Sequence, residues 1–83
     1  MKVLSEQLRA RPGVRERFGT AVQFRREELG LTREALAEAA GIHRTYLSDV
    51  ERGTRNVSLV NVERLAAALG LTMAELFAAV GRS

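Results

Sequence analysis

Cysteine and tryptophan are absent from this 83-residue sequence, and it contains a single histidine, His43. Without cysteine the chain can form neither a disulfide framework nor a thiolate metal site. One imidazole alone does not make the usual structural zinc site, which is built from four cysteine or histidine ligands. The sequence therefore predicts no metal and no other cofactor, and its composition suits a reducing compartment.

Long apolar runs are lacking too. No stretch approaches the ~20 apolar residues that a membrane-spanning helix requires. The amino-terminal sequence MKVLSEQLRARPG lacks the apolar core of a signal peptide. We therefore expect no membrane association and a cytoplasmic location.

Catalytic motifs are also missing. The sequence has no Gly-x-Ser-x-Gly elbow, no phosphate-binding loop, no His-Glu-x-x-His motif and no Cys-His pair. The neighbouring acids Glu27 and Glu28 point about 100° apart on a helix, so they do not converge on one substrate. We expect no enzyme activity, and nothing indicates a small-molecule ligand.

The chain is instead rich in arginine. Its net charge is +3, and nearly all of its 13 basic residues are arginine rather than lysine. The planar guanidinium group can donate two parallel hydrogen bonds to one phosphate, so this bias favours a polyanionic partner. The 46% of hydrophobic residues are enough for one modest core, which predicts one domain.

Two short helical patterns meet at Gly41, between Thr32 and Gly53. Gly41 can adopt the positive φ that ends the first helix, while Thr32 and His43 occupy the N-cap positions of the two helices. Apolar residues at helical spacing predict one packing stripe across both: Leu36, Ala37, Ala40, Ile42, Tyr46, Leu47 and Val50. This pattern is typical of a helix-turn-helix.

The opposite face of the second helix is polar. An arc of about 140°, at the helical 100° per residue, contains Arg44, Thr45, Ser48, Asp49 and Arg52. Guanidinium, hydroxyl and carboxylate groups are chemically able to read base edges and bind phosphate. The alternative is an ordinary solvated helix surface.

The run from Phe18 to Phe77 resembles the Cro/lambda-repressor type of helix-turn-helix domain, the XRE family. Within it, HRTYLS, ERGTRN and the following SL are most similar to small stand-alone regulators such as restriction-modification controller proteins. The resemblance implies a five-helix bundle that binds operator DNA as a dimer, with these groove-facing residues: Arg44, Thr45, Ser48 and Asp49. Three places depart from the family pattern: His43, Val57 and the pair Phe24 and Arg25.

Periodicity and helix-stop residues predict an all-α bundle with helices over 14–29, 33–40, 44–52, 59–69 and 73–80. Residues 1–13 form an extension that includes a short helix with Val3, Leu4 and Leu8, residues 14–80 form the domain, and 81–83 form a tail. Outside the helix-turn-helix the predicted core residues are Phe18, Val22, Leu29, Leu59, Val62, Leu65, Ala66 and Leu69. Phe24 points away from this core.

Residues that flank the polar face are predicted to bind DNA phosphates: Arg33, His43, Arg52, Arg55 and Asn56. The alternative for the arginines is a surface charge, and for His43 it is a helix cap. Glu51 would repel phosphate, so we expect it to pair with an arginine, for which Arg26 is one candidate. Otherwise the expectation for Arg25, Arg26 and Arg64 is a solvated charge.

A two-fold dimer would place two recognition helices one DNA turn apart. The predicted interface is the apolar edge of the last helix: Leu76, Phe77 and Val80. The competing interpretation packs Phe77 into its own subunit and forms the dimer from other apolar residues: Phe24, Val3, Leu4 and Leu8.

Together these features predict a sequence-specific transcriptional regulator that binds double-stranded DNA, at a pseudo-palindromic operator, as a homodimer. The alternative is an antitoxin-like protein-interaction module on the same fold, which we expect to carry a long partner-binding tail. The last predicted helix is followed only by Gly81, Arg82 and Ser83, which favours the regulator.

Overall fold

The computed structural model describes residues 12–82. They form five helices: α1 (Val14–Glu28), α2 (Arg33–Ala40), α3 (Arg44–Arg52), α4 (Leu59–Ala68) and α5 (Met73–Arg82). No strand occurs among these residues, so the predicted all-α, five-helix fold is confirmed. The last helix continues beyond its predicted end at Val80. The predicted amino-terminal helix, with Val3, Leu4 and Leu8, lies outside the described residues.

Side-chain hydrogen bonds fix where α2, α4 and α5 begin. Thr32 Oγ1 and Ser58 Oγ each accept a hydrogen bond at 3.1 Å from the backbone N–H three residues later. At the start of α5, Thr72 and Glu75 cap each other's backbone N–H groups, a reciprocal capping box. The backbone N–H of Thr72, together with its hydroxyl, lowers the pKa of the Glu75 carboxyl.

The core forms where α1 packs against α3 and α5, and where α2 packs against α3 and α4. Seven side chains at its centre are almost completely enclosed: Val22, Leu36, Leu47, Val50, Leu65, Leu69 and Leu76. The helical spacing in the sequence placed six of these residues on inward faces, whereas Leu76 was expected at a dimer interface. Their burial holds α2 and α3 against the rest of the bundle.

Two predicted core residues are instead exposed, and both lie at helix ends. Leu29 is 42% exposed and Leu59 is 72% exposed, so their assignment to the core was wrong. Leu29 is the C-cap of α1 and Leu59 is the first residue of α4. The helical period gives the angle of a residue around the axis, but it does not say whether a neighbouring helix covers that end.

The helices α1 and α3 cross in close contact at Gly19. A Cβ atom on Gly19 would lie 2.3 Å from the carbonyl oxygen of Val50 and 2.6 Å from that of Glu51. Only glycine permits this approach, because both contacts are with backbone atoms. The sequence pattern gave no sign of this requirement.

Within residues 12–82 no single helix has the length and apolar character needed to cross a membrane. The helices α4 and α5 satisfy that test only as a pair, and they are bent by 95° relative to each other. Their main apolar side chains, including Leu65, Leu69 and Leu76, are buried in the core.

Candidate nucleic-acid interface

The segment from α2 to α3 has the geometry of a helix-turn-helix. Gly41 ends α2 in the left-handed region, with φ 70° and ψ 34°, where other residues are strained. The N–H of Ile42 donates across the turn to the carbonyl of Ala37 at 3.0 Å. The inward stripe is buried as predicted, in Leu36, Ala37, Ala40, Leu47 and Val50. The opposite face of α3 is left at the surface.

We call Arg44, Thr45, Ser48 and Asp49 the outer face of α3. Arg44 and Thr45 are exposed, whereas Ser48 and Asp49 are half-buried. Arg44 forms an ion pair with Glu34 of α2, and the two side chains are 62% and 70% exposed. A pair this exposed contributes at most ~1 kcal/mol, so it leaves Arg44 able to turn to another partner.

His43 caps α3, as its position in the sequence predicts. Its Nδ1 accepts a hydrogen bond from the backbone N–H of Thr45 at 3.0 Å. The side chain is exposed and lies at the positive end of the helix dipole, where an anion is favoured. The cap is confirmed, and the phosphate contact of His43 stays a prediction.

A group of polar contacts surrounds the carboxylate of Asp49. Its Oδ1 accepts a hydrogen bond from Arg52, and its Oδ2 accepts one from Nε of Arg55 at 3.2 Å. The guanidinium carbon of Arg55 also lies 5.3 Å from the ring centroid of Tyr46. We call Tyr46, Asp49, Arg52 and Arg55 the Asp49 cluster. The sequence placed Asp49 on the outer face but did not suggest that it binds two arginines.

A buried ion-pair network fixes α3 from its inner side. The carboxylate of Glu51 accepts hydrogen bonds from Arg26 Nε at 2.7 Å and from Arg26 Nη2 at 3.2 Å. Arg33 Nε donates to the same carboxylate at 2.9 Å, and Arg26 Nη1 donates to the carbonyl of Leu31 at 2.9 Å. The hydrogen bond to Glu51 raises the pKa of Arg26 despite the opposing effect of burial.

This network settles two expectations from the sequence. The predicted pairing of Glu51 with Arg26 is confirmed, and the default of a solvated Arg26 was wrong because both side chains are buried. One carboxylate thus ties together α1, the amino-terminal end of α2 and the carboxyl-terminal half of α3.

The residues predicted to bind phosphate are all exposed, but they differ in the protein groups that they contact. Arg33, the first residue of α2, uses Nε for Glu51, and its side chain is still 48% exposed. Arg52 and Arg55 share Asp49, and Asn56 lies exposed in the loop that follows α3. All of them, with His43, lie at helix ends or in this loop. Their contacts with phosphate stay predictions.

The predicted dimer interface needs correction. Leu76 and Val80 are buried in the core of the subunit itself, which removes them from any contact surface, whereas Phe77 is 45% exposed. Its ring centroid lies 6.4 Å from that of Phe18. Two further exposed residues lie in the same surface groove, and we call the three the Phe77 patch: Val14, Leu59 and Phe77.

Arg55 lines the same groove as the Phe77 patch, so the patch adjoins the loop predicted to contact DNA. Phe24 points away from the core, as expected, and is 67% exposed in a different groove between α1 and α5. Among residues 12–82, no three His, Asp or Glu side chains converge in a way that could hold a metal ion.

Comparison with known proteins gives a consistent result. A helix-turn-helix family model matches residues 22–76. The chain is 45% identical over 65 residues to control protein C.MunI of Mycoplasma sp., covering 77% of this chain and 88% of that protein. Its fold is similar to the crystal structure of the restriction-modification controller protein C.AhdI from Aeromonas hydrophila, with 47% identity, a TM-score of 0.73 and coverage of 75% and 94% of the two chains. The clp gene regulator ClgR from Corynebacterium glutamicum is also similar, with 34% identity, a TM-score of 0.82 and coverage of 86% and 76%.

Proposed function

Because this chain belongs to the helix-turn-helix family and is a DNA-binding transcriptional regulator, we propose that it binds a pseudo-palindromic operator as a homodimer. In this proposal α3 lies in the major groove. One observation carries the proposal. The inner face of α3 is fully used in the core, while its outer face presents Arg44, Thr45 and Ser48 away from it. Arginines are exposed beside this face, where backbone phosphates would lie.

The similarity to control proteins supports a matching biological role, the control of restriction-modification genes. Proteins of this size commonly act on DNA close to their own gene, so the flanking sequence is the first place to look for the operator. We propose that it acts in the cytoplasm, where its DNA target lies. We also propose that it acts by binding DNA and not by catalysis.

Base recognition is assigned mainly to Arg44. A guanidinium group can donate to both O6 and N7 of one guanine, a contact worth ~1 to 3 kcal/mol of discrimination against the other bases. Arg44 is the most suitable donor, because its only ion-pair partner within residues 12–82 is the exposed Glu34. Thr45 and Ser48 can add hydroxyl contacts to neighbouring bases.

The variant Arg44→Ala is expected to weaken binding to the operator by about 5- to 160-fold, the range that corresponds to the loss of one such contact. Binding to unrelated duplexes should fall much less. The operator is first selected from a random duplex pool with the parent protein, and affinities are then measured by fluorescence anisotropy. Arg64→Ala is the matched control, since Arg64 is an exposed arginine on α4.

Equal losses on operator and unrelated DNA would reassign Arg44 to a phosphate. If the parent protein selects no duplex at all, DNA binding itself is contradicted. The antitoxin-like alternative would then become the better hypothesis.

The Phe77 patch is the proposed dimer interface. A two-fold axis brings the same surface of each subunit together, so the interface must be self-complementary, and an exposed aromatic with two aliphatic neighbours suits this. The patch adjoins Arg55, so pairing it would bring the loops after α3 close to the axis. The two α3 helices could then enter successive major grooves about 34 Å apart.

The variant Phe77→Asp is expected to be folded but monomeric at micromolar concentration, because an ionised carboxylate would have to be desolvated in the interface. Sedimentation equilibrium measures the mass, and circular dichroism checks helicity. Phe24→Asp is the matched control, with an exposed phenylalanine on a different surface, and it should sediment like the parent. A helical Phe77→Asp dimer together with a monomeric Phe24→Asp would transfer the interface to the groove between α1 and α5.

A further inference from the structure

Asp49 differs from the other residues of the outer face in its contacts, and it is much less exposed than Arg44. Its side chain is only 18% exposed, against 62% for Arg44. Both of its carboxylate oxygens accept hydrogen bonds from arginine, Oδ1 from Arg52 and Oδ2 from Arg55. Base edges in the groove are reached by exposed side chains with available donors or acceptors. Asp49 is poorly placed for that task.

The backbone of Asp49 also organises the loop that follows α3. Its carbonyl oxygen accepts from the N–H of Thr54 at 3.0 Å and from the hydroxyl of the same residue at 3.1 Å. Thr54 immediately precedes Arg55, so the loop and its arginine side chain are both attached to Asp49. The ring of Tyr46 supports the guanidinium group of Arg55 from one side.

Arg52 and Arg55 each have N–H groups that do not bind Asp49 and that can donate to another acceptor. Arg55 binds Asp49 through Nε and has both Nη groups left, while Arg52 binds through Nη2 and has Nε and Nη1 left. A guanidinium group held by a carboxylate on one edge presents its other N–H groups in a fixed direction. A flexible arginine must instead be ordered when DNA binds, which costs conformational entropy.

From these contacts we propose that Asp49 is a positioning residue for DNA binding: it holds Arg52 and Arg55 in the orientation that meets backbone phosphates, and it does not read a base. The inference rests on the proposed DNA-binding function and changes the role assigned to one member of the outer face. A positioning role also explains why a negatively charged residue, Asp49, occurs on a surface that must approach negatively charged DNA. The Asp49 cluster retains a net positive charge, since two guanidinium groups surround one carboxylate.

The variant Asp49→Asn separates this role from its alternatives, because each predicts a different change in DNA affinity or base preference. Electrostatics alone predicts tighter DNA binding, since a negative charge near phosphate is removed. A base-reading role predicts a changed preference at one operator position. Positioning predicts weaker binding to every duplex, by about tenfold if two arginines must now be ordered on binding.

The experiment measures affinities for operator and unrelated DNA over a range of salt concentrations. Each phosphate contact contributes ~0.9 to the slope of log affinity against log salt. Both arginines still reach phosphate once they are ordered, so the slope should be unchanged in Asp49→Asn although the affinity falls. In a double-mutant cycle, Asp49→Asn should have a smaller effect in an Arg55→Ala background, because one of its two targets is gone. Glu38→Gln is the matched control, as an exposed acid on α2 outside the cluster.

A second measurement does not depend on DNA. Nitrogen-15 relaxation of the Arg55 Nε–H in the free protein should show a restrained group in the parent and a more mobile one in Asp49→Asn. Tighter binding by Asp49→Asn, a change in base preference, or an equally restrained Arg55 would each overturn the proposal. A parent protein that binds no duplex would instead contradict the proposed function, which keeps the two failures distinct.

Discussion

Replacing Glu51 with alanine is expected to lower the free energy of unfolding by about 3 to 5 kcal/mol, the usual cost of removing one partner from a buried ion pair. The variant would leave the guanidinium of Arg26 buried with only the Leu31 carbonyl as a partner. A domain of this size has a total stability on the order of 5 to 10 kcal/mol. Much of the fold's stability would therefore depend on this carboxylate.

Urea denaturation followed by circular dichroism measures the loss. Arg33→Ala is the control within the same network: its side chain is half exposed, so water can replace its contact with Glu51 and the loss should stay below ~1 kcal/mol. The double variant Arg26→Met with Glu51→Leu should recover most of the stability lost in Glu51→Ala, because no charge is left buried. A loss for Glu51→Ala as small as that for Arg33→Ala would contradict the importance of the buried pair.

The second large effect is expected at Gly19. Alanine is favoured over glycine inside a helix by about 1 kcal/mol, so propensity alone predicts that Gly19→Ala stabilises α1. The new methyl group, however, would lie 2.3 Å and 2.6 Å from two backbone carbonyl oxygens of α3. Overpacking typically costs about 1 to 3 kcal/mol, and rigid backbone neighbours place this site at the upper end or beyond.

We therefore expect Gly19→Ala to be net destabilising by about 2 kcal/mol or more, as measured by urea denaturation. Gly81→Ala is the matched control, a glycine in α5 whose added Cβ would meet no other side chain or helix of residues 12–82 within 4 Å. Because the described part of the chain leaves room for this methyl group, Gly81→Ala should not be destabilised by overpacking. If Gly19→Ala were no less stable than Gly81→Ala, the close crossing of α1 and α3 would be disproved.

The sequence predicted the helix-turn-helix well, because its determinants are local. Thr32 supplies a hydroxyl for the cap, Gly41 supplies the left-handed conformation, and the spacing of Leu36, Leu47 and Val50 defines the buried stripe. Each of these signals acts within a few residues of its position. The bounds predicted for α2 and α3 therefore agree with the structure.

Other features depend on which elements meet in space, and the sequence did not reveal them. Gly19 looked like an ordinary position in a helical pattern, yet it is the contact point between α1 and α3. Leu76 and Val80 matched an exposed apolar edge, but α5 packs that edge into the subunit. The helical period groups residues on a face without identifying what the face packs against.

In the candidate site, too, the sequence predicted the features that depend on local signals and missed those that depend on contacts between elements. Periodicity identified the outer face of α3, and charge type identified the arginines that flank it. The link from Asp49 to both Arg52 and Arg55 joins α3 to the following loop, whose path is not encoded in a helical period. Distinguishing a base-reading residue from a positioning one required the contacts themselves.

The cap on α3 also selects one tautomer of the neutral imidazole of His43. Because Nδ1 of His43 accepts the hydrogen bond from Thr45, that nitrogen carries no proton, and the neutral imidazole must hold its single hydrogen on Nε2. This tautomer is selected in the protein without DNA, and its remaining N–H lies on an exposed side chain at the start of α3. The imidazole of His43 therefore caps α3 through Nδ1 and presents a hydrogen-bond donor at Nε2.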